Sequence, residues 1–164
     1  MNSKTIKYII IILLLPVVPL KATAQTGIYY STNGQLSSSL INQLYQDQRG
    51  FIWISTEFGL NKFDGTHFTH YKHIDNDSTS LINNHVRGAF EDSYRNLWIR
   101  CLGGLMLYHP ETDDFELIKI EGKEGRHVTN IMELHNGEVW GITTGDTIFR
   151  INLTQKVIEP IDEI

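Results

Sequence analysis

The stretch Asp47-Gln48-Arg49-Gly50-Phe51-Ile52-Trp53-Ile54-Ser55-Thr56, continued by Gly59-Leu60-Asn61-Lys62-Phe63-Asp64-Gly65, decides the fold. Phe51 to Thr56 is rich in aromatic and β-branched residues, which suit a pleated, half-buried surface. It is bracketed by turn chemistry: Gln48-Arg49-Gly50 before it and Glu57-Phe58-Gly59 after it. Leu60 to Phe63 then reads as another strand, and Asp64-Gly65 as a hairpin turn. A type I′ turn is expected there, since both of its central positions need positive φ. With Ile41 to Asp47 upstream and His67 to Lys72 downstream, the unit is four short strands joined by tight turns.

The unit recurs. Shifted by 45 residues, Asp47 falls on Asp92, Trp53-Ile54 on Trp98-Ile99, and Gly59-Leu60 on Gly104-Leu105. Shifted by a further 42, Glu91 falls on Glu133 and Trp98 on Trp140. The third copy has drifted: Leu134 replaces the Asp, and Asp146-Thr147 replaces Gly-Leu. In the second copy His109 to Asp114 replaces the tight Asp-Gly turn before Phe115 to Ile120. Four short strands in 40 to 45 residues with one Trp each is the pattern of a β-propeller blade. A β-sandwich also uses short strands at such spacing, but its strands need not repeat in fours. The expected fold is therefore all-β: a partial propeller of about three four-stranded blades, with blade 1 over 36–75, blade 2 over 81–120 and blade 3 over 126–160. Three blades make an incomplete ring, because closed propellers have roughly four to eight. The two outermost faces are expected to be bare.

The chain has 164 residues, 14 Lys+Arg and 19 Asp+Glu, for a net charge of −5. An acidic chain is a poor nucleic-acid binder, since phosphates need a basic patch. Residues 1–24 read as a signal peptide. Lys4 and Lys7 precede an uncharged run from Tyr8 to Leu20 that Pro16 and Pro19 interrupt. Ala22-Thr23-Ala24 then forms a cleavage pattern between Ala24 and Gln25. Cleavage leaves 140 residues with 11 basic and 19 acidic side chains, net −8. The product is expected outside the cytoplasm, with no cysteine at position 25 to carry a lipid. Residues 25–35, with Tyr29 and Tyr30, read as a strand ahead of blade 1, loosely held for want of a last blade to complete. The lone Cys101 lies in an apolar strand and reads as a small buried hydrophobe.

Leu36-Ser37-Ser38-Ser39-Leu40-Ile41, the Asp47 to Thr56 run and Gly59 to Gly65 together resemble the two-component regulator propeller repeat. The second copy departs at Arg95 for the turn Gly, Cys101 for the Thr and His109 for the Asp. The resemblance implies the opening of a periplasmic sensor region of a hybrid two-component histidine kinase. It also implies a carbohydrate-like ligand in the parent protein, further blades to complete the ring, and contact with the membrane only through a span that this chain lacks. On that reading the chain is an N-terminal fragment, a ligand-sensing module without a kinase and not itself an enzyme. The alternatives are a truncated secreted propeller hydrolase or lyase, and an extracellular scaffold that self-assembles.

Little else in the sequence points to chemistry. His67, His70 and His73 cannot converge from one strand, because residues three apart face opposite sides and the outer two are about 20 Å apart. Asp75-Asn76-Asp77-Ser78 opens like a calcium loop but lacks the Gly and terminal Glu of an EF-hand. No nucleophile-elbow motif is present, so no catalytic, cofactor or metal residue is assigned. Trp53, Trp98 and Trp140 recur at equivalent places and read as packing residues. Asp47 and Asp92 read as turn structure, and Gly59, Leu60, Gly104 and Leu105 as repeat positions.

Overall fold

The computed structural model describes residues 27, 29–31, 35–120, 127–145, 147–152 and 157–161. The signal-peptide reading, with Ala24 and Gln25, lies outside them. Among the described residues twelve strands run in chain order. The first blade is β1 (Ile41–Gln46), β2 (Ile52–Thr56), β3 (Gly59–Phe63) and β4 (Phe68–Tyr71). The second is β5 (Val86–Glu91), β6 (Leu97–Cys101), β7 (Gly104–His109) and β8 (Asp114–Ile120). The third is β9 (Val128–Glu133), β10 (Val139–Thr143), β11 (Ile148–Asn152) and β12 (Val157–Pro160). Each blade is an antiparallel meander in sequence order. Blades 2 and 3 are joined at their outer edge by a short parallel pairing of β8 with β12. The chain is thus an all-β partial propeller with an incomplete ring.

Two apolar cores fill the joints between blades. The first packs Trp53 and Leu60 of blade 1 against Val86, Ala89, Ile99 and Tyr108 of blade 2. The second packs Trp98, Leu105 and Ile118 of blade 2 against Val128, Val139 and Phe149 of blade 3. Blades 1 and 2 each turn their Trp toward the blade that follows. The strand period of two makes this possible: alternate residues of β2 and β6 face forward while their neighbours face back. Trp140 occupies the same place in blade 3, where no blade follows among the described residues, and it is only half-buried.

The β1–β2, β5–β6 and β9–β10 turns share one main-chain frame. Asp47 N donates to Phe51 O, Asp92 N to Asn96 O, and Leu134 N to Glu138 O, at 3.0, 3.0 and 2.8 Å. The position three residues on has positive φ in every case: 92° at Gly50, 68° at Arg95 and 83° at Gly137. Arg95 therefore holds a left-handed conformation that costs an L-residue about 1–2 kcal/mol. Arg95→Gly is expected to stabilise the protein by about 0.5 kcal/mol, since the added unfolded-state entropy of Gly offsets part of the relief. The midpoint of urea denaturation checks this, and a lowered midpoint would contradict it.

Two local expectations need correction. The Asp64-Gly65 turn is not type I′. Asp64 N donates to His67 O at 3.2 Å, so Gly65 and Thr66 are the central pair, and only Gly65 has positive φ (101°). That is the II′ pattern, with Gly first. The Asp64 carboxylate fixes it by accepting from Thr66 N and His67 N, both at 2.7 Å. These donors hold the Asp64 carboxyl down at about 2. Secondly, Gly27 and Tyr29–Ser31 lie outside any strand. Tyr30 instead packs edge-on against Phe63 and Phe68, with ring centroids 5.1 and 5.2 Å away.

Candidate functional site

The recurring Asp and Trp form one device. Trp53 Nε1 donates to Asp47 Oδ2 at 2.9 Å, while Arg49 N and Phe51 N donate to Oδ1 at 3.0 and 2.9 Å. Blade 2 repeats it: Trp98 Nε1 to Asp92 Oδ2 at 2.9 Å, with Tyr94 N and Asn96 N on Oδ1 at 3.0 and 2.9 Å. A buried carboxylate thus closes the turn and satisfies an indole N–H that the core would otherwise orphan. In blade 3, where Leu134 has no carboxylate, Glu138 Oε2 accepts from Trp140 Nε1 at 3.0 Å. Trp53 and Trp98 are 0% and 1% exposed.

A second device joins blade to blade. Gln48 N, in the turn of blade 1, donates to Glu91 Oε2 of blade 2 at 2.6 Å. Ser93 N, in the turn of blade 2, donates to Glu133 Oε2 of blade 3 at 2.9 Å, and the Ser93 hydroxyl reaches the same carboxylate. The sequence alignment pairs Glu91 with Glu133, but nothing in the spacing discloses that each reaches backward to the preceding blade.

At the outer side of the first joint, Lys62 Nζ lies 4.9, 5.6 and 5.3 Å from the ring centroids of Phe51, Trp53 and Tyr108. It donates to Tyr108 Oη at 2.8 Å and pairs with Asp113 at 3.3 Å. Asp113 also accepts from Tyr71 Oη at 2.6 Å and from Tyr108. Burial works against the Lys62 ammonium, but the Tyr108 and Asp113 oxygens outweigh it and raise its pKa. Burial likewise opposes the Asp113 carboxylate, and its three donors overcome it and lower its pKa. This cluster is a clamp between blades 1 and 2. Its members come from distant segments, so sequence reading missed it.

The remaining candidates are structural. His67 Nδ1 meets Thr66 Oγ1 at 2.8 Å, His70 Nδ1 meets Asn61 Oδ1 at 2.8 Å, and His73 Nδ1 meets Leu81 O at 2.7 Å. These three rings have separate partners. Asp77 Oδ1 accepts from Thr79 N at 2.9 Å, an Asx turn within the loop that joins blades 1 and 2. Cys101 is buried, and burial pushes its thiol up to about 12. Gly59 has φ 131°, and a Cβ there would lie 2.7 Å from Tyr71 O, so glycine is required at this position. At Gly104 a Cβ would lie 2.7 Å from Leu117 Cδ1.

Both end faces expose apolar side chains. On blade 1 they include Leu44, 63% exposed, with Ile41 and Leu40. On blade 3 an open cavity of about 230 Å³ is lined by Met132, Leu134, Trp140, Ile142 and Ile148.

Repeating four-stranded blades packed Trp-first define the class, a β-propeller. Residues 35–58 match the model of the two component regulator propeller family. Over 46 residues it is 46% identical to Histidine kinase P4 of Formosa agariphila, covering 28% of this chain and 3% of that protein. The extracellular domain of a hybrid two component system from B. thetaiotaomicron superposes with a TM-score of 0.69 at 26% identity, covering 83% of this chain and 20% of that domain. A catalytically inactive virginiamycin B lyase from Staphylococcus aureus shares the fold alone. Its TM-score is 0.57 at 16% identity, covering 75% of this chain and 41% of the lyase. The chain therefore spans a small part of the length of the relatives it matches.

Proposed function

We propose that this chain is part of the exported, ligand-sensing propeller of a two-component signalling protein, that it responds to a glycan, and that further blades cover its two open faces. The observation that carries the reading is the likeness to the hybrid-system extracellular domain over 83% of the chain. The bare apolar faces of blades 1 and 3 support the call for further blades, since contiguous apolar patches beyond a few hundred Å² mark interaction surfaces. The signal-peptide pattern supports export, and the family resemblance supports a glycan. In this role the chain binds and does not catalyse. Signalling requires that the ligand bind one conformational state of the whole sensor more tightly than another.

The test is to read the source DNA beyond the codon for Ile164 and to delete the coding region. Further Trp and Gly-Leu blades, a membrane span and kinase motifs are expected in frame. Deletion should abolish glycan-induced transcription of polysaccharide-uptake genes. An immediate stop codon with no blades behind it, or induction unchanged by the deletion, would overturn the reading.

A further inference from the structure

The first strands of the three blades, β1, β5 and β9, lie side by side at the inner edge of the ring. Each carries a β-bulge at the same place. The register against the neighbouring strand slips between Ile41 and Gln43, between Val86 and Gly88, and between the partners Ile142 and Thr143 of β9. The extra residues are Asn42, Arg87 and Thr129, spaced by the same 45 and 42 residues as the repeat. Two of the three are spent on the fold. Asn42 Nδ2 donates to Val86 O at 2.8 Å, and Thr129 Oγ1 donates to Ile142 O at 3.0 Å.

Arg87 is different. Its Nε is buried and has no hydrogen-bond partner. Arg100, across the bulge on β6, is in the same condition at its own Nε, although its Nη1 reaches Thr129 O of blade 3. The two guanidinium groups repel one another, and burial together with that repulsion lowers the Arg100 pKa. Among the described residues no carboxylate pairs with either. Gly88 lies between them, and a Cβ there would sit 2.5 Å from Arg100 Nη2 and 1.9 Å from Gln43 Oε1. The space over residue 88 is thus occupied by the polar ends of Arg100 and Gln43.

Acids are not scarce in a chain with 19 of them. Two half-buried like charges side by side, each with its Nε shut off from water and unbonded and with no carboxylate beside them, carry a cost, and structures retain such groups where something pairs with them. Planar guanidinium groups match oxyanions through paired N–H donors. We propose that Arg87 and Arg100 form an oxyanion site at the inner edge of the ring, and that the sensed ligand carries a carboxylate or sulfate group that binds there. The proposal rests on the ligand-sensing reading for its biological role, but not for the binding itself.

The test is calorimetric titration of the full chain with D-glucuronate, glucose 6-sulfate, sodium sulfate and glucose at constant ionic strength. At least one of the three oxyanions is expected to bind, and glucose is not. Arg87→Met and Arg100→Met should each weaken that binding at least tenfold. Arg87→Met removes a half-buried cation whose Nε is unbonded and which faces a like charge, and should leave thermal stability equal or higher, so it carries the test if Arg100→Met fails to fold. Preference for glucuronate points to a uronic acid, preference for glucose 6-sulfate to a sulfated sugar, and equal binding of free sulfate to an inorganic ion. No binding by any oxyanion, or binding that Arg87→Met leaves unchanged, overturns the proposal. A neutral oligosaccharide that binds regardless of both substitutions overturns it while leaving the sensing reading intact. Oxyanion binding without any transcriptional response does the reverse.

Discussion

Trp98→Ala is expected to lower the free energy of unfolding by about 3–5 kcal/mol, the range for emptying a core of its largest side chain. The side chain is 1% exposed and packs with Leu105, Val128, Val139 and Phe149 from both sides of a joint. Its loss leaves a cavity shared by two blades, which neither can close without breaking its strand register. Trp140→Ala should cost far less, about 1–2 kcal/mol, because that ring is half in solvent and much of its apolar area is never removed from water. Urea denaturation of the two variants measures the difference. Equal losses would mean that Trp140 is covered in solution and that blade 3 has found a partner.

Asp92→Ala is expected to cost about 3 kcal/mol. Hydrogen bonds to a charged acceptor are worth about 1.5–3 kcal/mol each, and an orphaned buried donor costs about 1–3. Asp92 is 0% exposed and accepts from Tyr94 N, Asn96 N, Asn96 Nδ2 and Trp98 Nε1. These bonds share one carboxylate and do not add. Leu134→Ala, at the equivalent place in blade 3, should cost about 1 kcal/mol, since no indole depends on it. The indole N–H resonance of Trp98 gives a specific readout: it should shift in Asp92→Ala while that of Trp53 stays in place. An unmoved resonance would mean that the Asp acts only on the turn.

The blades themselves were legible in the sequence because their marks are periodic. Trp53 and Trp98, or Gly59-Leu60 and Gly104-Leu105, declare themselves by recurring at fixed distance. What those marks touch is another matter. The bond from Asp47 to Trp53 crosses six residues of chain, and only the coupled change in the third copy hints at it, where the Asp is lost and a carboxylate stands at Glu138 beside the Trp. The Lys62, Tyr71, Tyr108 and Asp113 clamp has no periodic trace, since among the described residues it occurs at one joint only. The Asp64-Gly65 turn was misread by one residue because the side-chain bonds of Asp64, not the dipeptide alone, choose which pair is central. The bulges were invisible for a related reason: one added residue per strand changes pairing without changing composition.

Each joint takes its amide donor from the earlier blade and its carboxylate from the later one, so the three-blade unit has a head and a tail. Gln46 of blade 1 stands where Glu91 and Glu133 receive the preceding turn, and the turn beginning at Leu134 stands where Asp47 and Asp92 begin theirs. A surface of this kind is heterologous. Two copies meeting through a twofold axis would set donor turn against donor turn, or Gln46 against Gln46, so that neither end meets its complement. Association through these ends is therefore directional, and directional association either closes on itself as a ring or continues as a filament.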